Sequence, residues 1–331
     1  MLNGSSLQRQ TRGAFPHGLW ARPPRAFLPY SKHRALEFRI HQKSGQRERQ
    51  FYGLAFLLAD WQQAKERPMK TESNFVDAET TNSIGTIVLN NPARHNALSK
   101  ELIDGICSVL ELMQQEDVRV VVLRAPAGSK VFSAGHDIRE LPTNGRDPLT
   151  YDDPLRRVIR TIEHFPAPVI AMIEGSVWGG ACELVMSCDI IVAADDCTFA
   201  ITTAKLGVPY NISGIQNFLN TGGMPLCKEM LFTAQPIPVS RLLSRGIVSH
   251  AVPRDQLQSL TESMATQIAA NSPLVVSLLK EELRLLSASH NLGPETFERV
   301  QAMRRQVYDS EDYQEGIRSF FEKRAPLFQG S

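Results

Sequence analysis

What the chain lacks narrows its chemistry first. It has almost no net charge: 36 Lys and Arg against 35 Asp and Glu leave +1. No global field therefore points to nucleic acid or an anionic membrane surface. No apolar run reaches the roughly 18 residues that span a bilayer, because charged or polar residues interrupt every stretch. The five cysteines, Cys107, Cys182, Cys188, Cys197 and Cys227, are odd in number, form no CxxC pair and fall mostly inside apolar segments. That pattern argues against a disulfide framework and suits a reducing, cytoplasmic compartment where cysteine is a small core residue. There is no P-loop GxxxxGKS/T, no HExxH, no dinucleotide GxGxxG and no His/Cys/Asp cluster at metal-ligand spacing. A serine-hydrolase elbow also fails, since Val131 stands where Phe132-Ser-Ala-Gly135 would need a glycine.

Acid is missing locally as well. Residues 1–36 carry Arg9, Arg12, Arg22, Arg25, Lys32 and Arg34 with no carboxylate before Glu37. Such a start fits an organelle-import peptide. It also fits an upstream extension ending at Met69, where Met69-Lys-Thr-Glu72 has the form of a natural start. The segment's length, its few serines and the mixed charge of residues 46–61 favour the second reading. Residues 1–70 are accordingly expected to be a disordered extension, and residues 1–68 to be dispensable.

What is present begins at residue 84. Ile84 to Leu89 is β-rich, and Asn90-Asn-Pro-Ala-Arg-His95 is a turn. Ser99 caps a helix reaching about Glu116, with Leu102, Ile103, Ile106, Val109, Leu110 and Met113 on one stripe. Further strands are expected at 118–123, 131–134, 168–173 and 189–194, with helices at 151–164 and 180–187. Strands alternate with helices, so the core is α/β. Beyond Val252 only amphipathic helices are expected, at 256–270, 273–289, 295–307 and 311–323. The organisation predicted is a core over 71–255 and a helical region over 256–331. That tail carries more apolar face than it can hide alone, so it docks on the core or on a neighbouring subunit.

Three segments carry candidate chemistry. In Ser129-Lys-Val-Phe-Ser-Ala-Gly-His-Asp-Ile138, a strand ends in small residues and Gly135, a turn that leaves the N–H of His136 facing outward. Taken alone it is more simply a turn in which Asp137 caps the next segment. In Ile173-Glu-Gly-Ser-Val-Trp-Gly-Gly-Ala-Cys-Glu183, a buried strand leads through Gly179-Gly180 into a helix whose first N–H groups lack partners. Glycines for tight strand–helix packing are the plainer explanation there. Two such turns together form a candidate two-donor oxyanion site. In the third segment, Tyr210 follows a Gly-Val-Pro turn and reaches a pocket or simply fills the loop.

These segments resemble the crotonase (enoyl-CoA hydratase/isomerase) superfamily over roughly residues 75–325. Asn91-Pro-Ala-Arg-His-Asn-Ala-Leu-Ser99 is similar to its early loop, and the segments at Phe132 and Gly175 to its two oxyanion segments. The resemblance implies a spiral of ββα turns with a C-terminal helical oligomerisation region, assembled as homotrimers or dimers of trimers. It implies an acyl-CoA substrate and oxyanion donors on the backbone of His136 and Gly180. The contacts it implies for the acyl-CoA run from His136 through Asp137, Ile138, Arg139 and Glu140, with Gly180 and Thr202 opposite. Gly145-Arg-Asp-Pro-Leu149, Tyr151-Asp-Asp-Pro-Leu-Arg156, Leu206-Gly-Val-Pro-Tyr-Asn211 and Val307-Tyr-Asp-Ser-Glu-Asp-Tyr-Gln-Glu-Gly316 resemble the branch of the family that decarboxylates methylmalonyl-CoA.

One departure bears on the chemistry. Hydratases of this family use two glutamates; Glu183 matches the first, and the second falls near Thr203, where there is no carboxylate. Hydration needs groups delivering both OH and H. Decarboxylation needs a held enolate and a carboxylate turned out of the carbonyl plane. The expected catalytic set is His136, Gly180, Tyr210 and Glu183, with Thr202 assisting Tyr210, Glu183 as either relay or support, and no metal or other cofactor. The alternatives are another reaction of the family, with Asp137 or Glu140 replacing the missing acid, or a non-catalytic acyl-CoA or RNA binder. The retained donors and the neutral charge weigh against the last.

Overall fold

The strands build two sheets, and the central strands that alternate with short ones along the chain lie in the larger. The computed structural model describes residues 67–69, 73–141, 153–287 and 294–328. The larger sheet has the order β1-β2-β3-β4-β6-β8-β11, from β1 (Arg67–Pro68), β2 (Val76–Thr81), β3 (Ile84–Leu89), β4 (Val120–Arg124), β6 (Val169–Ile173), β8 (Ile190–Ala194) and β11 (His250–Val252). From β3 to β11 neighbouring strands are parallel, while β1, β2 and β3 pair antiparallel. All five residues of β6, Val-Ile-Ala-Met-Ile, are buried, as expected of a parallel strand covered on both faces. The smaller sheet has the order β10-β9-β7-β5, from β5 (Val131–Ser133), β7 (Ser176–Trp178), β9 (Thr198–Ala200) and β10 (Ile237–Pro238).

Each long strand hands the chain to a short one and then to a helix. β4 and β5 lead to α2 (Pro154–His164), β6 and β7 to α3 (Gly180–Met186), and β8 and β9 to α4 (Ile212–Thr233). This is the expected spiral of ββα turns. The first helix, α1 (Lys100–Gln115), is capped by Ser99, whose hydroxyl accepts the Leu102 N–H, and it buries the predicted stripe. α5 (Val239–Leu243) and β11 complete the core, and the strands cease at Val252 as expected.

Several elements were not legible. β7 and β9 are only three residues long, too short for a period-2 signal. β2, Val-Asp-Ala-Glu-Thr-Thr, is largely polar because it lies near the sheet edge. α4 is interrupted at Gly223, where φ is 71° and Pro225 follows. The boundary of the expected extension also shifts. Arg67 and Pro68 pair with Thr80 and Glu79, and the Met69 N–H donates to the Ala78 carbonyl at 2.8 Å. A chain starting at Met69 thus loses a two-residue edge strand. The remainder of the extension, residues 1–66, lies outside the described residues.

The helical region comprises α6 (Arg254–Ala269), α7 (Pro273–Ser287), α8 (Pro294–Tyr308) and α9 (Glu311–Phe321). One half-buried lysine ties α7 to the core: Lys280 Nζ donates to the carbonyls of Ile162 and Ala167, both at 3.0 Å, and to Asp189 at 2.7 Å. The same helix leaves Leu274, Leu278, Leu279, Leu283 and Leu286 exposed. α9 docks closely on the turn Thr203–Leu206. A Cβ added at Gly316 would strike the Leu206 carbonyl, and one at Gly207 would lie 2.7 Å from the Asp312 carbonyl. The Tyr308 and Tyr313 rings meet edge to face at 5.2 Å beneath this contact, both fully buried. Gly316→Ala should therefore lower stability by roughly 1–3 kcal/mol through overpacking. A denaturation curve that matches the parent's would show the α9 contact to be loose.

Candidate active site

The site follows from the pairing of β5 with β7. These neighbours run parallel, with Val131 opposite Ser176 and Ser133 opposite Val177, so the turns after them emerge side by side. After β5 the chain reverses through Gly135 at φ +84°; after β7 it does so through Gly179 at φ +53°. These are left-handed conformations that glycine adopts without strain. The backbone N–H of His136 takes no acceptor among the described residues, and that of Gly180 is the first of α3, with none inside the helix. The two nitrogens are close. An ideal Cβ on Gly180 would lie 3.5 Å from His136 N, and one on Gly135 would lie 3.0 Å from Gly180 N and would overlap the Trp178 carbonyl.

The early loop braces the first turn. Ala134 and Leu98 donate their backbone N–H groups to the carbonyls of His95 and Gly135 at 2.9 and 2.7 Å. Asn96 donates to the Phe132 carbonyl at 3.0 Å and accepts the Asn91 N–H at 2.8 Å. Ser133 donates its hydroxyl to the Asn96 carbonyl at 2.7 Å and accepts the Gly135 N–H at 3.2 Å. Buried backbone groups in this turn are thereby paired, leaving the His136 N–H as the outward donor.

Both donors open into a cavity of about 700 Å³. Of the residues expected at the site, His136, Asp137, Ile138, Arg139, Gly180, Glu183, Thr202 and Tyr210 line it. Glu140 does not. Its carboxylate accepts the Lys100 N–H at 2.8 Å and faces a separate recess beside Asp104. Its side chain is thus committed to the start of α1, where an anionic partner is favourable. Asp137 caps Ile138–Glu140 by accepting the Arg139 N–H, and it pairs with the Arg139 side chain at 3.0 Å and with Arg94 at 3.4 Å. Burial pushes its carboxyl up, but the Arg139 and Arg94 contacts outweigh burial and hold it below the usual range. Neither carboxylate is placed as a free acid for the missing hydratase glutamate.

Glu183 is 1% exposed. Its Oε1 accepts Arg156 at 3.1 Å and its Oε2 accepts Asn211 at 2.6 Å. Burial raises its pKa, against the charge of Arg156 and the hydrogen bonds from Asn211 and Arg156. The Tyr210 hydroxyl is buried beside Glu183 without a well-formed hydrogen bond to it, and desolvation followed by the Glu183 charge raises it well above the phenol range. It is a neutral donor with a proton to give. The His136 Nδ1 is likewise buried without a partner.

Sequence reasoning missed Arg156 and Asn211, which lie in quoted stretches but carried no assigned role. It also missed Leu155, which touches Gly180, and the wall formed by Tyr308, Phe320 and Phe321. Only the apolar period of the tail hinted at that wall. Among the described residues no cluster of His, Cys, Asp or Glu has the form of a metal site, and no helix is long and apolar enough to cross a membrane.

The model of the enoyl-CoA hydratase/isomerase family matches residues 79–331. The chain belongs to that family. Within it, the chain is similar to methylmalonyl-CoA decarboxylase of Escherichia coli (strain K12), 50% identical over 256 residues that cover 77% of this chain and 98% of that protein. It is 33% identical over 270 residues to mitochondrial enoyl-CoA hydratase domain-containing protein 3 of Rattus norvegicus, covering 78% of this chain and 86% of that one. A solved methylmalonyl-CoA decarboxylase in complex with 2-nitronate-propionyl-CoA superposes with a TM-score of 0.77 at 50% identity, over 78% of this chain and 100% of that one. The fold, with two glycine turns at the ends of adjacent parallel strands, is thus that of an enoyl-CoA hydratase/isomerase family member.

Gly135→Ala tests the paired turns. It forces a side chain into a left-handed position and against Trp178 and Gly180. Displacing one donor of such a pair should lower turnover by about 10²–10³, and the strain should cost roughly 1–3 kcal/mol in thermal unfolding. Full activity in the alanine variant would remove the backbone N–H pair from the chemistry.

Proposed function

We propose that this protein decarboxylates methylmalonyl-CoA to propionyl-CoA and CO2 through a thioester enolate. The observation that carries the proposal is the convergence of two glycine turns with their backbone N–H groups and a buried tyrosine hydroxyl on one cavity, in a chain 50% identical to a methylmalonyl-CoA decarboxylase. The thioester oxygen sits between the N–H groups of His136 and Gly180. The Tyr210 hydroxyl, with Thr202, holds the substrate carboxylate out of the thioester plane, where the breaking C–C bond overlaps the π system. The electron pair of that bond passes into the enolate as CO2 leaves, and the oxygen's growing charge is met by both donors, each worth about 3 kcal/mol. The enolate then takes a proton from water at C2, giving propionyl-CoA and hydroxide, which solvent neutralises.

No metal or organic cofactor enters this scheme; coenzyme A arrives with the substrate. Arg94, Arg139 and Lys205 border the cavity and suit an anionic ligand. The exposed leucines of α7 support a homotrimer or a dimer of trimers, since an apolar helix face of this kind is normally covered. The five cysteines are all free and buried, which suits a reducing compartment such as the cytoplasm. Neither nucleic acid nor a membrane is a partner in this reading. The family's hydration reaction is disfavoured by Thr203 at the second acid's place and by the commitments of Asp137 and Glu140.

Tyr210→Phe keeps the ring and deletes the hydroxyl. A hydrogen bond to a charged group is worth roughly 1.5–3 kcal/mol, so kcat/KM for methylmalonyl-CoA should fall by about one to two orders of magnitude. Binding of propionyl-CoA, which lacks the carboxylate, should be unchanged. An unaltered kcat/KM would leave Tyr210 as packing alone. The parent should hydrate crotonyl-CoA negligibly; hydration as fast as decarboxylation would move the protein to the hydratase reading.

A further inference from the structure

The proposed reaction leaves one buried ion pair without a role. Arg156, one-fifth exposed, reaches from α2 across to Glu183 on α3 at 3.1 Å. Asn211, at the start of α4, fixes the other carboxylate oxygen at 2.6 Å. Asn211 is itself held, its Oδ1 accepting the Gly214 N–H at 2.6 Å and the Ser213 hydroxyl at 2.8 Å. Both oxygens of Glu183 thus accept from N–H donors, the arrangement of a carboxylate rather than of a carboxylic acid. A Cβ added at Gly214 would lie 2.6 Å from Tyr210 Cε1 and 2.7 Å from Glu183 Oε2, so the ring and the carboxylate sit side by side against α4.

We propose that Arg156 is a positioning residue for the decarboxylation: by holding the Glu183 carboxylate onto itself and Asn211 it keeps that group from donating to the Tyr210 oxygen, and the Tyr210 hydroxyl stays free for the substrate carboxylate. The inference rests on the proposed decarboxylation and extends it to a residue outside the reacting atoms. A carboxylate this deeply buried neutralises when its cation is removed. Protonated, Glu183 would itself donate a hydrogen bond, and the Tyr210 oxygen beside it would accept, drawing the hydroxyl away from the substrate. Arg156 and Glu163 from α2 face Glu183; Tyr210, from the loop before α4, is flanked by Glu183, Cys182 and Arg156; and Asp153 stands beside Arg156 and His136. Arg156 is the cation among them.

The test uses the full chain with Arg156→Gln, Arg156→Lys and Glu183→Gln. Turnover of methylmalonyl-CoA is followed across pH, and the Glu183 carboxyl is titrated by infrared difference spectroscopy, its band assigned by loss in Glu183→Gln. Arg156→Gln should lower kcat by about one to two orders of magnitude. Its Glu183 midpoint should move to higher pH, and its rate should climb with pH as Glu183 ionises. Arg156→Lys, which keeps the charge and loses the planar fork, should fall between the two in both readouts. In a Glu183→Gln background, Arg156→Gln should add no more than about twofold, because the pair acts as a unit. An unmoved Glu183 midpoint in Arg156→Gln, or effects of the two substitutions that multiply, would overturn the proposal. If Arg156→Gln does not fold, Arg156→Lys decides: an upward midpoint with slower turnover supports it, and parent-like values overturn it. A parent chain that releases no CO2 would sink the reaction instead, while the infrared titration needs no turnover and reports on the coupling by itself.

Discussion

The rest of the site depends on one constraint, the parallel pairing of β5 with β7. Two strands of three residues end side by side, and the chain leaves each through a glycine at positive φ. This pairing brings the turns that carry His136 and Gly180 side by side, the arrangement on which the proposed two-donor site rests. The early loop, Asn96 and Ser133 commit their hydrogen bonds to keeping that geometry, and the long sheet supplies a rigid base for the short one. In the proposed reaction such donors are preorganised, with no reorientation needed when charge develops on the thioester oxygen.

Around that fixed pair, electrostatics is arranged in layers. The acids nearest the donors are neutralised by arginines: Asp137 by Arg139 and Arg94, Glu183 by Arg156. A bare carboxylate in this cavity would repel the anionic substrate of the proposed reaction, and each pairing removes that repulsion. Tyr210 is buried beside Glu183, its hydroxyl raised above the phenol range by desolvation first and the Glu183 charge second, and in the proposed reaction it is the donor to the substrate carboxylate.

How much of this was legible in the sequence depends on the range of each interaction. Ser99 and its apolar stripe announced α1, and the unbroken apolar run of β6 announced a buried strand, because both signals are local. The two glycine turns were visible singly, and their juxtaposition came from resemblance, since strand pairing is non-local. The partners of Glu183 were not visible at all. Arg156 lies 27 residues away and Asn211 28 residues away in sequence, and no spacing rule links residues on three separate helical elements. The side-chain partner of Glu140 was not visible for the opposite reason. It is adjacent to the site in sequence, but the short turn at Ile138–Glu140 points its carboxylate toward α1.

The close seat of α9 on the turn that carries Thr202 and Thr203, with Phe320 and Phe321 on the cavity wall, has a thermodynamic consequence. The last helix is both part of the container and part of the fold. Any ligand that touches that wall binds only the docked arrangement, so by mass action it stabilises the docking. Fraying of the C-terminus and escape of the ligand are thus two views of one equilibrium, and protection of the α9 amides against hydrogen exchange becomes a measure of cavity occupancy.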